Sequence, residues 1–101
     1  FKNCVSLESI DLSGIREIGN NTFEGCTSLA SVDLSSVNTI GNYAFKGCTA
    51  LTELNIPLSV GYIKTGAFKG CTALTSVTIR DDCRLDMNVF PDTVEVNYAE
   101  G

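Results

Sequence analysis

A fixed spacing of phenylalanine is the feature that most limits what this chain can fold into. Five phenylalanines recur at spacings of 22, 22, 23 and 22 residues, at Phe1, Phe23, Phe45, Phe68 and Phe90. A cysteine follows three residues after each of the first four, and a leucine three residues later: Cys4, Cys26, Cys48, Cys71 and Leu7, Leu29, Leu51, Leu74. Chains with this kind of period stack similar turns and bury a continuous core between them.

Each repeat continues with a short alternating segment. Its apolar positions are Ile10, Val32, Leu54 and Val77, then Leu12, Leu34, Ile56 and Ile79. Further inward candidates are Ile15, Val37 and Val60, followed by Ile18, Ile40, Ile63 and Leu85. Alternation indicates a short strand with one buried face. Together with the period, it predicts a leucine-rich-repeat solenoid, a right-handed coil with a short parallel β-sheet on one face and short helical turns or loops on the other.

Residues that tolerate positive φ stand before the cysteines, at Asn3, Gly25, Gly47 and Gly70. We therefore expect a left-handed backbone there. The preceding Ile-Gly-Asn-x-x-Phe segment suits one helical turn stopped by glycine. An earlier glycine, Gly19 or Gly41, is replaced in later repeats, so positive φ is not expected at that position.

The repeats change towards the C-terminal end. Residues 1–80 are predicted to form the leucine-rich repeats, with units starting at about 1, 23, 45 and 68. Asp82 replaces an inward residue and the Gly-Cys turn is missing after Phe90, so residues 81–101 are read as a degenerate last repeat and C-terminal cap. Pro57 lacks a ladder donor and should mark a strand's exit. Because Phe1 begins inside a repeat without a cap, we expect upstream sequence in the parent protein.

Three segments carry a family resemblance: residues 18–26, 40–48 and 56–71, with glycine, phenylalanine and cysteine at fixed offsets. They closely resemble the BspA-like leucine-rich repeats. The resemblance implies an extracellular or cell-surface protein that adheres to a protein or glycan on a host or neighbouring cell. It supplies no fixed set of binding residues.

Charge and composition narrow the function classes. The net charge of −5 argues against a nucleic-acid partner. No apolar run is long enough to insert into a membrane, and no signal peptide is visible. Histidine, the commonest general base, is missing from the sequence. Carboxylates could pair only at Asp81, Asp82 and Asp86, where solvation is the simpler account. We therefore predict no enzyme, no cofactor and no metal.

The cysteines are predicted to be structural. Four share one repeat phase and should form an inward ladder at the strand spacing of about 4.8 Å. That spacing also lies within the Cα window of a disulfide, whereas a linear ladder cannot surround a metal ion. Buried thiols are the favoured interpretation, with some disulfide as the alternative. Cys83 lies outside the ladder, and we expect its acidic neighbours to keep its pKa up.

The outward strand positions are the predicted ligand-binding residues. They form two rows and one terminal residue: Ser9, Ser31, Glu53 and Ser76; Asp11, Asp33, Asn55 and Thr78; and Arg80. Asp11 and Asp33 should oppose each other on adjacent strands, which leaves a weak cation or basic-ligand site as one hypothesis. None of the three tyrosines lies on these rows, although binding hot spots favour Trp, Tyr and Arg.

Two functions follow from this scaffold. The leading hypothesis is a non-catalytic adhesion or interaction module that binds through the strand-bearing face. The alternative is a structural spacer with no ligand of its own. The Asn20-Asn21-Thr22 triplet also matches an N-glycosylation acceptor, although chance is the favoured explanation of that match.

Overall fold

The computed structural model describes residues 2–12, 14–57, 59–91 and 94–99, and gives no side-chain description for Glu53, Asn55 and Ala99. Phe1 and the Asp92-Thr93 part of the cap, which carried sequence-based expectations, lie outside the described residues. Across these ranges the chain forms nine short strands and no helix. None of the described residues belongs to a helix that could cross a membrane.

One set of strands lies on the predicted strand-bearing face: β1 (Ser9–Asp11), β3 (Ser31–Asp33), β5 (Glu53–Asn55), β7 (Ser76–Arg80) and β9 (Glu95–Ala99). β1 pairs with β3, and β5 with β7 and β9, all in parallel. β3 and β5 lie side by side without pairing, so the face has two parts. The parallel strands confirm the predicted leucine-rich-repeat solenoid.

A second parallel sheet was not predicted. It consists of two-residue strands in the order β2 (Glu17–Ile18), β4 (Thr39–Ile40), β6 (Tyr62–Ile63) and β8 (Arg84–Leu85). Their second residues point inward, and the first three of these are buried. Their first residues form an outward row in which Tyr62 lies between Thr39 and Arg84.

The core consists of columns that run through the stack. The Phe23, Phe45 and Phe68 rings are buried, and successive centroids are 5.2 and 5.1 Å apart. Phe90 continues the column at 5.5 Å. Val37 and Val60 are fully buried as predicted.

The prediction that Ile15 faces inward with Val37 and Val60 is wrong, because Ile15 is 44% exposed. Val37 and Val60 have turns on both sides. Ile15 instead lines an open groove of about 220 Å³ with Leu12 and Phe23 at the end of the described stack. The repeat phase therefore places Ile15 in the right column, but burial there requires a neighbour on each side.

The segment before each cysteine is a series of turns instead of the expected helical turn. Backbone N–H groups alternate between two kinds of acceptor along residues 21–26. Those of Asn21, Phe23 and Gly25 donate to Asn42, Ala44 and Lys46 of the next turn, while those of residues 22, 24 and 26 donate three residues back. A helix would use every interior N–H within the segment. Because every second backbone N–H donates to the neighbouring turn, the segment lacks the internal hydrogen bonds that a helix requires.

This alternation places left-handed residues at two points of each turn. The predicted points are confirmed, with φ of 62° at Asn3 and 78° at Gly25, Gly47 and Gly70, while Gly19 and Gly41 are not left-handed. The second point was missed and contains Asn21, Tyr43, Gly66 and Asn88, with φ between 56° and 64°. Tyr43 is the unusual member, because bulky residues disfavour this conformation. As predicted, Pro57 lies beyond β5, which ends at Asn55.

Gly66 provides a test of this second left-handed point. Its φ is +64°, and an added Cβ would overlap the ring of Tyr43, which lies across it. We expect Gly66→Ala to lower the free energy of unfolding by about 1–3 kcal/mol in urea denaturation. The matched control is Gly61→Ala, where an added Cβ would make only an ordinary 3.7 Å contact with Nη1 of Arg80. Equal stability of the two variants would contradict the proposed strain.

Candidate functional site: the strand-bearing face

The strand-bearing face brings together most of the predicted binding residues. Parallel register sets Ser9 opposite Ser31 and Asp11 opposite Asp33. It also sets the backbones of Glu53 and Asn55 opposite Ser76 and Thr78. The first four side chains are exposed, while Ser76, Thr78 and Arg80 are half-buried. The side chains of Glu53 and Asn55 lie outside the description, so their placement in the rows rests on the backbone.

β9 adds two residues that the sequence interpretation missed. Glu95 lies opposite Ser76, and Asn97 lies opposite Thr78, so both predicted rows extend by one strand. Both side chains are exposed. The alternation of residues 94–98 was visible in the sequence, but those residues were assigned only to the cap because the preceding turn motif is missing.

Asp11 and Asp33, the acidic residues of the second row, already form contacts within the chain. A carboxylate oxygen of Asp33 accepts a hydrogen bond from the Ser35 backbone N–H at 3.0 Å, which closes the turn after β3. Asp11 is also engaged within the chain. Among the described residues, no group of three or more acidic, cysteine or histidine side chains is arranged to hold a metal ion.

Arg80 is held by a neighbouring carboxylate. Its Nε and Nη2 both donate to the carboxylate of Asp82, with 3.0 Å between Nη2 and Oδ2. These hydrogen bonds lower the pKa of Asp82 and raise the pKa of Arg80. A carboxylate on a partner would therefore have to displace Asp82 from the guanidinium before it could bind Arg80 in the same two-pronged way.

The cysteines are reduced thiols with structural contacts. Cys26, Cys48 and Cys71 are fully buried. The Cys48 thiol donates to the Phe23 carbonyl at 3.3 Å, and the Cys71 thiol donates to the Phe45 carbonyl at 3.1 Å. Burial raises the pKa of Cys26, which disfavours the nucleophilic thiolate.

The pKa of Cys83 is raised, as predicted, but for a partly different reason. Its pKa is raised chiefly by burial, Asp82 adds to the rise, and Arg80 opposes it. The expectation assigned the rise to acidic neighbours alone. A raised pKa keeps this thiol protonated and unreactive.

Asn20 and Thr22 of the glycosylation triplet form hydrogen bonds within the fold. The side-chain oxygen of Asn20 accepts a hydrogen bond from the Asn42 backbone N–H at 2.8 Å, and Thr22 donates its hydroxyl to the Gly19 carbonyl at 2.8 Å. The next turn repeats the first contact, because Asn42 Oδ1 accepts from the Thr65 backbone N–H at 3.1 Å. These contacts give the Asn20 side chain a structural role.

Two further surface residues escaped the sequence interpretation. Tyr62 and Arg84 face outward from the second sheet, on adjacent strands. The sequence signal for this row is the position before each inward isoleucine or leucine, which is occupied by Glu17, Thr39, Tyr62 and Arg84. This row supplies the tyrosine that the predicted positions of the strand-bearing face lack, and an arginine in addition to Arg80.

The stacked parallel strands, buried phenylalanine column and polar outward rows define a leucine-rich-repeat solenoid. A family model described as BspA type Leucine rich repeat region matches residues 1–98 in six copies. The chain therefore belongs to the BspA type leucine-rich-repeat family. Leucine-rich-repeat proteins are generally protein-interaction modules and typically non-catalytic, and this family is commonly surface-associated.

Two solved structures are similar to this chain. A leucine-rich repeat protein from Bacteroides ovatus ATCC 8483 is 26% identical with a TM-score of 0.73, over 99% of this chain and 38% of that one. The T. pallidum leucine-rich repeat protein TpLRR is 25% identical with a TM-score of 0.67, over 96% of this chain and 63% of that one. This chain thus spans less than two thirds of either protein. No curated protein matches it.

Proposed function

We propose that this chain is a non-catalytic adhesion or interaction module of a surface or secreted protein, and that it engages a protein or glycan partner through its strand-bearing face. The in-register rows of outward polar side chains on parallel strands carry this proposal. A partner that meets these rows would find hydroxyl, carboxylate and amide groups at regular intervals.

Rigidity favours binding through such rows. Each strand is fixed by its neighbours and by a buried or partly buried residue between the outward ones, such as Val77 between Ser76 and Thr78. Short side chains on a fixed backbone lose little conformational freedom when a partner binds, which reduces the entropic cost of association.

The size of the face sets a requirement on the partner. Five strands at about 4.8 Å, each presenting about three residues at about 3.3 Å, span roughly 19 by 10 Å. A stable protein interface uses about 800 Å² per partner. The strand rows alone are smaller than this, so a stable partner must also contact the adjacent loops or further repeats of a longer protein.

Introducing long side chains into the rows tests the proposal. Ser31→Arg with Ser76→Arg is expected to weaken binding at least about tenfold, because two long side chains would block the middle of the face. Binding would be measured on arrays of purified extracellular-matrix proteins and glycans and on intact cells. Thr27→Arg with Thr49→Arg changes the charge equally at exposed positions outside the strands and should leave binding unchanged.

The alternative function is a structural spacer. It is favoured by the engagement of Arg80 with Asp82, and by the lack of aromatic residues at the outward positions of the described strand face. Under this alternative the arrays and cells bind neither the unchanged chain nor the variants. Binding that survives the arginine substitutions would instead exclude the strand-bearing face as the site.

A further inference from the structure

The second sheet carries a cluster of one tyrosine, two cationic and one acidic side chain, called here the Tyr62 patch: Tyr62, Lys64, Arg84 and Asp86. The register of β6 and β8 places Tyr62 beside Arg84. The Arg84 guanidinium carbon lies 4.7 Å from the centre of the Tyr62 ring, and Lys64 Nζ lies 5.6 Å from it. Both distances are within the range of cation–π attraction.

Asp86 orients the patch. The Tyr62 hydroxyl donates to Asp86 Oδ2 at 2.9 Å, and this hydrogen bond raises the pKa of Tyr62. The other carboxylate oxygen of Asp86 lies 3.8 Å from Nε of Arg84, which is an ion pair but too long for a hydrogen bond. The ring is therefore anchored at its hydroxyl and bordered by two cations.

The cations of the patch have unused donors. Within the described part of the chain, the side chain of Arg84 donates no hydrogen bond, and it is 71% exposed. Lys64 forms no ion pair with any described residue. Arg80 differs, because Asp82 occupies its guanidinium. Because Asp86 pairs with Arg84 without a hydrogen bond, the donors of this guanidinium remain available for the two oxygens of a carboxylate, and its planar fork already lies against a ring.

From this geometry we propose that the Tyr62 patch is a second interaction surface, and that it binds an acidic segment of a partner protein. Tyrosine and arginine are the residue types that dominate protein binding hot spots. Carboxylates on the partner would accept hydrogen bonds from Arg84 and Lys64, while apolar groups would pack on the uncovered parts of the ring.

The shape of the surface favours a polypeptide over a glycan. Small ligands are usually held in concave sites. Two grooves among the described residues are lined by other residues, one around Leu12 and Phe23 and one around Lys69 and Phe90. The patch lies instead on the outer side of a sheet, where an extended peptide can lie across several turns.

The test uses the unchanged chain and a short capped peptide in which glutamate alternates with glycine, together with its glutamine counterpart. Calorimetry at low salt should show the glutamate peptide binding with a Kd below about 1 mM, and no binding of the glutamine peptide. Arg84→Gln with Lys64→Gln should weaken binding at least about tenfold. Lys2→Gln with Arg16→Gln, an equal charge change on the first turn, should weaken it less than about twofold.

Substitutions of Tyr62 test the contribution of the ring to peptide binding, because they do not change the charge of the patch. Tyr62→Ser should weaken peptide binding, whereas Tyr62→Phe, which keeps the ring, should retain most of it. Thermal unfolding of each variant shows whether it is folded, and the phenylalanine variant keeps the test valid if the serine variant is not. The strand-face variant Ser31→Arg with Ser76→Arg should still bind the peptide, which separates this surface from the proposed function.

Four outcomes would overturn the proposal. These are no binding to the unchanged chain below about 1 mM, equal binding of the two peptides, equal losses in the patch and first-turn variants, and binding of a sulfated oligosaccharide through Arg84 and Lys64 without binding of the peptide.

Discussion

Replacing Phe45 by alanine is expected to lower the free energy of unfolding by about 3–5 kcal/mol. The ring is fully buried and stacks on Phe23 at 5.2 Å and on Phe68 at 5.1 Å. Its removal leaves a cavity whose walls belong to three turns, and the regular backbone bonds between those turns prevent collapse around it. Urea unfolding followed by circular dichroism measures the loss.

Phe90→Ala is the matched control for this prediction. Phe90 is half-buried and stacks on Phe68 from the end of the column, at 5.5 Å. Its replacement should cost clearly less, because the vacated space opens towards solvent. If Phe45→Ala cost no more than Phe90→Ala, the phenylalanine column would not be the centre of the core.

Leu51→Ala is the second large effect, expected at about 2–5 kcal/mol. Leu51 is fully buried. The same measurement applied to Leu7→Ala, in the same column but only half-buried on the first turn, should give a smaller loss. A cost below about 0.5 kcal/mol for Leu51→Ala would contradict the assignment of this column to the core.

The inward columns were predictable because each one repeats. Phe23, Phe45 and Phe68, and the buried thiols, occupy the places that the period assigns to them. The left-handed residues before the cysteines were also predictable, because only glycine and asparagine occur there. Ile15 shows the limit of this reasoning, since a column gives an orientation while burial also depends on neighbours.

The second sheet and the turn segments depend on contacts between turns. Strands of two residues, such as Tyr62–Ile63, are too short to show alternation, and pairing between neighbouring turns defines them. The shared N–H groups of residues 21–25 are likewise satisfied only in the stack. A local pattern of Ile-Gly-Asn-x-x-Phe therefore suggested a helical turn that the neighbouring turn prevents.

The candidate surfaces were predictable to different degrees. The rows of the strand-bearing face follow from alternation, and their register is as expected. Their role in binding remains a prediction. The Tyr62 patch was not predicted because its members come from two separate short segments, residues 62–64 and 84–86, which only the pairing of β6 with β8 brings together.

The hydrogen bonds between turns have a mechanical consequence. Bonds such as Phe23 to Ala44 and Phe45 to Ala67 join successive turns, so they point along the axis of the stack. A pull along that axis loads all the turn junctions with the same force, and each junction can open while its neighbours stay closed. Under tension the protein should therefore lengthen at low force in steps of one turn each, and should not behave as a single rigid rod.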